Sequence, residues 1–288
     1  MVWILIPAAI VFLTVVAVFV FGWFSLRPVN NPVKPIPNLP PSKLTEVRFP
    51  SAGKTLQGWL VEPETQPSKG VVLLVHGWGS QAADMLGWCD FLVPEGWTCF
   101  AIDVRGHGRS DYENIVTMLK FAEDTHAAGK WLSTKSHLSS QPLFILGHSL
   151  GGAAALLALS EGFPAKAAII SSAFARLEAV TAYVLKKAFL PPKLFGWIIT
   201  LTWTLRLKID LLAYQPERTI KRVGIPLLLT HGDRDPVVDY EELHRLVEAA
   251  QGLDFRVLDV PQAGHNNLLD FAEYREGVLS FLQLKSSP

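Results

Sequence analysis

The chain has 288 residues with 26 basic and 26 acidic side chains, so its formal net charge is zero. That length allows one large α/β domain or two small ones. A neutral chain without a long basic run lacks the electrostatic footprint of a nucleic-acid-binding protein, so no nucleic-acid partner is expected. Two cysteines, Cys89 and Cys99, are too few for a disulfide framework and are expected to pack as small apolar residues.

The first 26 residues contain no charged side chain and predict a transmembrane anchor over residues 1–26. About 20 apolar residues span a bilayer core, and Trp3 and Trp23 lie near the ends of the run, where aromatic side chains favour the interface. A signal peptide would have a basic start, a shorter apolar core and a small-residue cleavage site, so a retained anchor is preferred. Arg27 and Lys34 follow the run and no basic residue precedes it, which places the remaining chain on the cytoplasmic side.

Residues 27–43 contain six prolines and predict an extended, semi-rigid tether between this anchor and a domain over residues 44–288. The domain begins with two weakly alternating runs, Leu44–Phe49 and Leu56–Val61, which flank Ser51–Lys54 and predict a hairpin. Buried strands and helices then alternate. The strands are predicted over 71–75, 99–102, 143–146, 167–170, 223–230 and 255–260, with helices over 112–132 and 269–284. This alternation predicts an α/β fold with a mostly parallel sheet that is covered by helices on both faces.

A glycine pattern after the first parallel strand offers a competing interpretation. Gly77-x-Gly79-x-x-Ala82 opens a helix, and Asp103 follows the next strand at about the spacing of a dinucleotide-binding fingerprint. The bulky Trp78 would crowd the turn that holds a pyrophosphate. This pattern also leaves the serine motif described next unexplained, so a dinucleotide-binding enzyme is the less favoured alternative.

The central motif is Gly147-His148-Ser149-Leu150-Gly151, which lies between a buried strand and the helix-forming run Ala153–Leu159. In a nucleophile elbow the serine adopts a strained backbone conformation that holds its hydroxyl clear of the sheet. The two glycines allow strand and helix to pass closely. Free N–H groups at the start of the helix can stabilise an oxyanion beside the serine. Ser149 is therefore the predicted nucleophile.

Between about residues 175 and 222 the strand–helix alternation lapses. Two apolar, helix-compatible stretches, Val180–Leu190 and Leu194–Leu205, are separated by Pro191 and Pro192. We interpret residues 175–222 as a helical lid over the catalytic mouth, with a second membrane segment or ordinary core helices as alternatives. The threonines and modest length of the second stretch argue against a span.

An elbow serine is followed along the chain by an acid and then a histidine. Of the histidines after Ser149, His231 precedes the acids of its loop and is expected to brace the turn, and His244 lies on a charged helix face. His265 follows a strand end in a glycine-containing loop and is the predicted base. Asp235 is the predicted acid because it lies farther along its loop than Asp233, which is expected to be a turn or capping residue.

These motifs together resemble the α/β-hydrolase superfamily, near its monoacylglycerol-lipase-like and serine-aminopeptidase-like branch. The similarity covers residue 44 to the C-terminus, and its pieces occur in the family's order. They are His76-Gly77-Trp78-Gly79, Asp103-x-Arg105-Gly106-x-Gly108-x-Ser110, the elbow, His231-Gly232-x-x-Asp235 and Gly264-His265. The resemblance implies that the backbone N–H groups of Trp78 and Leu150 form the oxyanion hole.

The predicted activity is that of a membrane-anchored serine hydrolase that cleaves a carboxylic ester through an acyl-enzyme. An apolar lid and a membrane anchor favour a small-molecule acyl or lipid-like substrate. A peptidase, amidase or thioesterase could use the same triad. A non-catalytic membrane adaptor would normally have lost part of the triad, which is complete here. No Cys/His spacing resembles a zinc site, and neither a metal nor an organic cofactor is expected.

Overall fold

Eight strands form a single sheet in a computed structural model that describes residues 2–29, 31–64 and 67–286. The strands are β1 Ser42–Ser51, β2 Lys54–Pro63, β3 Val71–Val75, β4 Thr98–Ile102, β5 Leu143–His148, β6 Ala167–Ser171, β7 Leu227–Gly232 and β8 Phe255–Val260. Their order across the sheet is β1-β2-β4-β3-β5-β6-β7-β8. β1 and β2 pair antiparallel, β2 is antiparallel to β4, and all later pairings are parallel. The predicted α/β-hydrolase fold with a mostly parallel sheet is confirmed.

Eleven α-helices within the described residues accompany the sheet. They are α1 Val2–Phe24, α2 Ala82–Met85, α3 Cys89–Leu92, α4 Met118–Ser133, α5 Ser136–Ser139, α6 Leu150–Ser160, α7 Leu177–Lys187, α8 Pro192–Leu207, α9 Pro216–Thr219, α10 Glu241–Ala249 and α11 Ala272–Ser286. Two apolar clusters, one on each face of the sheet, pack these helices against the strands. Both cysteines are free and buried, as predicted.

The predicted hairpin is present, with a tight turn at Ala52 and Gly53. Their φ angles are 45° and 77°, which is the left-handed conformation that a two-residue hairpin loop needs at both positions. The hairpin extends two residues before Leu44, because Ser42 and Lys43 pair with Pro63 and Glu62.

The helix predicted over residues 112–132 begins later, at Met118. Thr117 caps it, since its side-chain hydroxyl accepts a hydrogen bond from the Lys120 backbone N–H at 3.4 Å. The residues before the cap form a loop, in which the Val116 N–H donates to the carbonyl oxygen of Leu26 at 2.9 Å. The sequence showed the apolar periodicity of this stretch but not the contact that holds its first residues out of the helix.

The proline-rich segment after α1 is extended, as its composition dictates, and it lies against the domain. The Lys34 N–H donates to the Gln81 side-chain oxygen at 2.9 Å, and the Gln81 amide nitrogen donates to the Pro32 carbonyl at 3.1 Å. Ile36 and Leu39 pack against the core cluster on one face of the sheet. These contacts attach residues 32–39 to the domain.

α1 contains one stretch, Ile6–Phe24, that is long and apolar enough to cross a membrane, with a mean hydropathy of 2.4. Most of its side chains are exposed, but a buried stripe runs through Val18 and Gly22 and continues to Leu26, just after the helix. This stripe packs against α8, the second long helix of the predicted lid. The N-terminal helix is therefore joined to the inserted helices as well as to the segment that follows it.

Candidate active site

Ser149 lies at a sharp turn between β5 and α6. Its φ and ψ angles of 56° and −122° are strained for a residue with a side chain. The Ser149 N–H donates to the Ser171 carbonyl at 2.8 Å, which ties the turn to the neighbouring strand. A Cβ atom on Gly147 would lie 2.4 Å from the Gly151 oxygen, and one on Gly151 would lie 2.2 Å from the Val75 oxygen. Both positions therefore require glycine, and the local structure matches the predicted elbow.

His265 and Asp235 are in direct contact. His265 Nδ1 lies 2.7 Å from Asp235 Oδ2, and their side chains are 9% and 0% exposed. The other carboxylate oxygen, Oδ1, accepts the backbone N–H groups of Val237 and Val238 at 2.8 and 2.9 Å. Burial alone would raise the pKa of Asp235, but hydrogen bonds from His231 and His265 and the neighbouring backbone hold that pKa well below its ordinary value. The carboxylate is thus ionised and fixed in orientation.

The structure also shows the contacts of the two histidines and the aspartate that were not predicted to be catalytic. His231 Nε2 donates to the Val238 carbonyl at 3.0 Å and lies 3.3 Å from Asp235 Oδ2, so it braces the turn as predicted and also contacts the acid. His244 is exposed on α10. Asp233 accepts the Gln262 N–H at 2.5 Å and so links two loops. The contact between His231 and Asp235 had no sequence signal beyond their spacing of four residues.

Ser149 and His265 line one cavity of about 590 Å³ at the carboxyl edge of the sheet. Trp78 and Leu150 also line it. No hydrogen bond joins the backbone N–H of either residue to another residue within the described part of the chain. Free N–H groups on the lining of a cavity are available to an oxyanion. Four of the five residues that the sequence singled out thus line one cavity, and the fifth, Asp235, contacts His265.

The loop that carries Trp78 is held by a buried histidine. His76 Nδ1 donates to the Gly77 carbonyl at 2.7 Å, and its Nε2 accepts the Val104 N–H at 3.1 Å, so the ring is neutral. Burial, together with the neighbouring His107, lowers the pKa of His76 to about 3. His76 therefore positions the loop and takes no part in proton transfer.

Asp103, the acidic residue of the dinucleotide pattern, points into the protein. Its carboxylate accepts the N–H groups of Ala82 and Arg109, both at 2.7 Å. A ribose would need this carboxylate free, so the structure does not support the dinucleotide interpretation. Arg105 of the same motif is also structural, since its guanidinium pairs with the buried carboxylate of Asp124.

His148 was missed as a site residue because it occupies the variable position of the elbow motif. Its ring centroid lies 4.9 Å from that of His265, and it lines the cavity. Burial, together with the neighbouring His265, lowers the pKa of His148 to about 3. A neutral ring packed on the base limits the orientations that the base can adopt.

Acidification is expected to destabilise the fold through His76 and His148. An unfolded histidine has a pKa of about 6.5, so the unfolded chain gains protons below that pH which the folded chain does not bind until about pH 3. The free energy of unfolding should therefore fall by about 3 kcal/mol for the two histidines together as the pH drops from about 6.5 to 5. Thermal unfolding of the purified protein across this range measures the loss. His76→Gln should remove about half of it, and an unchanged pH dependence in that variant would contradict the assignment.

The cavity also holds residues from a part of the chain that the sequence placed outside the catalytic domain. Phe21 of α1 lines it, as do Ser25 and Leu26 just after the helix, together with Val180 of α7 and Ile199 of α8. Such contacts between distant segments leave no pattern in a single sequence. Among the described residues, no group of three or more His, Cys, Asp or Glu side chains is placed to hold a metal ion.

Comparison with known proteins identifies the family. The family model described as serine aminopeptidase, S33, matches residues 66–221, slightly more than half of the chain. The chain belongs to this family. It is an α/β hydrolase of the serine hydrolase class. The matched residues include Ser149 and end before Asp235 and His265.

Individual relatives of the hydrolase share a third or less of its residues over the compared regions. The uncharacterized protein Rv2307c of Mycobacterium tuberculosis is 28% identical over 281 residues, covering 95% of this chain and 93% of its own. A monoacylglycerol lipase of Mycolicibacterium smegmatis is 33% identical over 92 residues, or 31% of this chain and 32% of its own. The esterase PF2001 of Pyrococcus furiosus shares the fold with a TM-score of 0.73 and 23% identity, over 90% of this chain and 98% of its own.

Proposed function

We propose that this hydrolase cleaves a carboxylic ester with Ser149 as nucleophile, His265 as general base and Asp235 as the orienting acid. The observation that carries the proposal is the 2.7 Å contact between His265 Nδ1 and Asp235 Oδ2, beside a cavity that His265 shares with Ser149. Because Nδ1 donates to the carboxylate, Nε2 is left to accept the proton of the serine hydroxyl.

The reaction then follows the two steps of acyl transfer. Ser149 Oγ attacks the ester carbonyl as His265 takes its proton, and the N–H groups of Trp78 and Leu150 stabilise the oxyanion. The alcohol leaves with a proton from His265, and an acyl-enzyme remains. Water, deprotonated by His265, attacks the acyl carbon and releases the acid. Each oxyanion N–H contributes about 10²–10³ in rate.

The lining of the cavity favours an acyl ester over a peptide with a free amino terminus. An aminopeptidase needs a carboxylate to bind the substrate ammonium group. Among the described lining residues there is no Asp or Glu, and Arg27 is the one side chain with a permanent charge. The partial similarity to a protein named monoacylglycerol lipase is consistent with this choice. An acyl or lipid-like ester is therefore the proposed substrate.

We further propose that α1 is a retained membrane anchor, with the catalytic domain on the cytoplasmic side. Removal of α1 as a signal peptide would uncover the face of α8 that packs against Gly22 and Ser25, whereas here Trp203 Nε1 donates to Ser25 Oγ at 2.8 Å. Arg27 lies over the Phe24 ring, 4.6 Å from its centroid. Aromatic and basic side chains at the end of an apolar helix are typical of a membrane interface.

Labelling with a fluorophosphonate probe tests the chemistry and the sidedness together. In permeabilised cells the probe should label Ser149 and no other residue of the chain. In intact cells a membrane-impermeant probe should not label Ser149. A panel of matched p-nitrophenyl ester, thioester and anilide substrates then separates esterase from thioesterase and amidase. Labelling elsewhere, or faster cleavage of the anilide, would contradict the proposed activity.

A further inference from the structure

The N-terminal helix contributes part of the wall of the catalytic cavity. Phe21 of α1, with Ser25 and Leu26 just after it, lines the cavity that Ser149 and His265 share. Ser25 is bonded to Trp203 of α8, which lines the cavity as well. A helix whose sole task was to hold the enzyme at a membrane would not need to line the catalytic cavity.

α1 and α8 pack closely where they meet at the cavity. A Cβ atom on Gly22 would lie 3.2 Å from Thr202 Cβ and 3.3 Å from Ile199 Cα, so the two helices approach at a residue without a side chain. The Arg206 guanidinium lies over the Trp23 ring, 5.1 Å from its centroid. Packing of this kind fixes the cavity-lining side of α1 relative to the lid.

Phe21 lies at the boundary between the cavity and the outer surface of α1. Its side chain lines the cavity and is 44% exposed. Val20 and Phe24, its neighbours along the helix, belong to the apolar surface that α1 leaves uncovered. The mouth of the cavity therefore adjoins the face of α1 that would contact lipid in a membrane.

We propose that Phe21 in the last turn of α1, with Ser25 and Leu26 just after the helix, forms an acyl-binding wall, along which the acyl chain of a membrane lipid ester passes from the bilayer to Ser149. This inference rests on the proposed function, because it assumes an ester substrate and a membrane around α1. It assigns α1 a second task, selection of substrates with long acyl chains. Val180 and Val184 of α7 supply an apolar surface to the same cavity. An extended hydrocarbon chain suits such a lining because its contacts are dispersive and need no polar partner.

Acyl-chain preference provides the first test. Phe21→Ala in the full-length enzyme removes apolar wall from the long-chain path. We expect the ratio of kcat/KM for p-nitrophenyl dodecanoate to that for p-nitrophenyl acetate to fall about tenfold. Phe19→Ala is the matched control, since Phe19 is 38% exposed on the same helix and is not among the described residues that line the cavity. That control should leave the ratio unchanged.

Protection of a thiol at the same position provides a direct test. In the Phe21→Cys variant, a dodecyl fluorophosphonate bound to Ser149 should slow maleimide labelling of the new thiol, and a methyl fluorophosphonate should not. The two natural cysteines are buried and should not react with the maleimide. The Phe19→Cys variant should react equally fast with either phosphonate bound.

The two hypotheses fail in different ways. If Ser149 reacts with neither phosphonate, the proposed function fails. If both phosphonates react but Phe21→Ala and Phe19→Ala give the same chain-length ratio, and no protection occurs at position 21, then α1 is an anchor alone and the acyl-wall inference is overturned. A fall in the ratio with protection at position 21 only, and none at position 19, supports it.

Discussion

Replacing Ser149 with alanine is expected to lower kcat for a soluble short-chain ester by about six orders of magnitude. The variant retains the base and the oxyanion N–H groups but has no oxygen with which to form an acyl-enzyme, so its residual activity comes from transition-state binding alone. The fold should persist. The strained turn is held by the Ser149 N–H bond to Ser171 and by the flanking glycines, none of which involves the hydroxyl.

The measurement is the rate of p-nitrophenol release, together with the thermal midpoint of each purified variant. Ser160→Ala is a matched control on the same helix, where the Ser160 hydroxyl donates to the Leu157 carbonyl at 2.8 Å. This control should keep its activity within about twofold. If Ser149→Ala kept more than about one hundredth of the wild-type rate, the nucleophile would have to be another group.

The elbow could be predicted because all its determinants are contiguous. A buried strand, a glycine on either side of Ser149 and an alanine-rich helix occur within about 20 residues, and each has a local physical cause. His265 and Asp235 were found by the order of residues along the chain and by the strand ends that they follow. The sheet places those ends at one edge, and that edge is where the two side chains meet.

Residues whose partners are distant in the chain could not be predicted in the same way. Asp103 and Arg105 follow a strand end and resemble functional residues in sequence, yet both bond to groups inside the protein. The contact between Gly22 and α8 joins residues about 180 positions apart. The local sequence around this contact shows only a glycine and a serine within an apolar run. The sequence therefore predicted an isolated anchor where the structure has a helix that lines the cavity.

Asp235 acts through the direction in which its two oxygens point. Oδ1 accepts two backbone N–H groups, from Val237 and Val238, and Oδ2 faces His265 and His231. The backbone donors cannot be removed without unfolding the turn. Any amide placed at this position must therefore direct its oxygen at the backbone and its NH₂ group at His265.

That constraint predicts a large loss of activity for Asp235→Asn, about four orders of magnitude in kcat. The amide would donate to His265 Nδ1, which leaves the proton on Nε2, and the ring could then no longer accept the proton of Ser149. Asp233→Asn is the matched control, because Asp233 lies on the same loop as Asp235, its carboxylate accepts the Gln262 N–H, and it has no described contact with His265. It should keep its activity within about threefold. Both variants should remain folded by circular dichroism, and equal losses of activity would show that the acid is not Asp235.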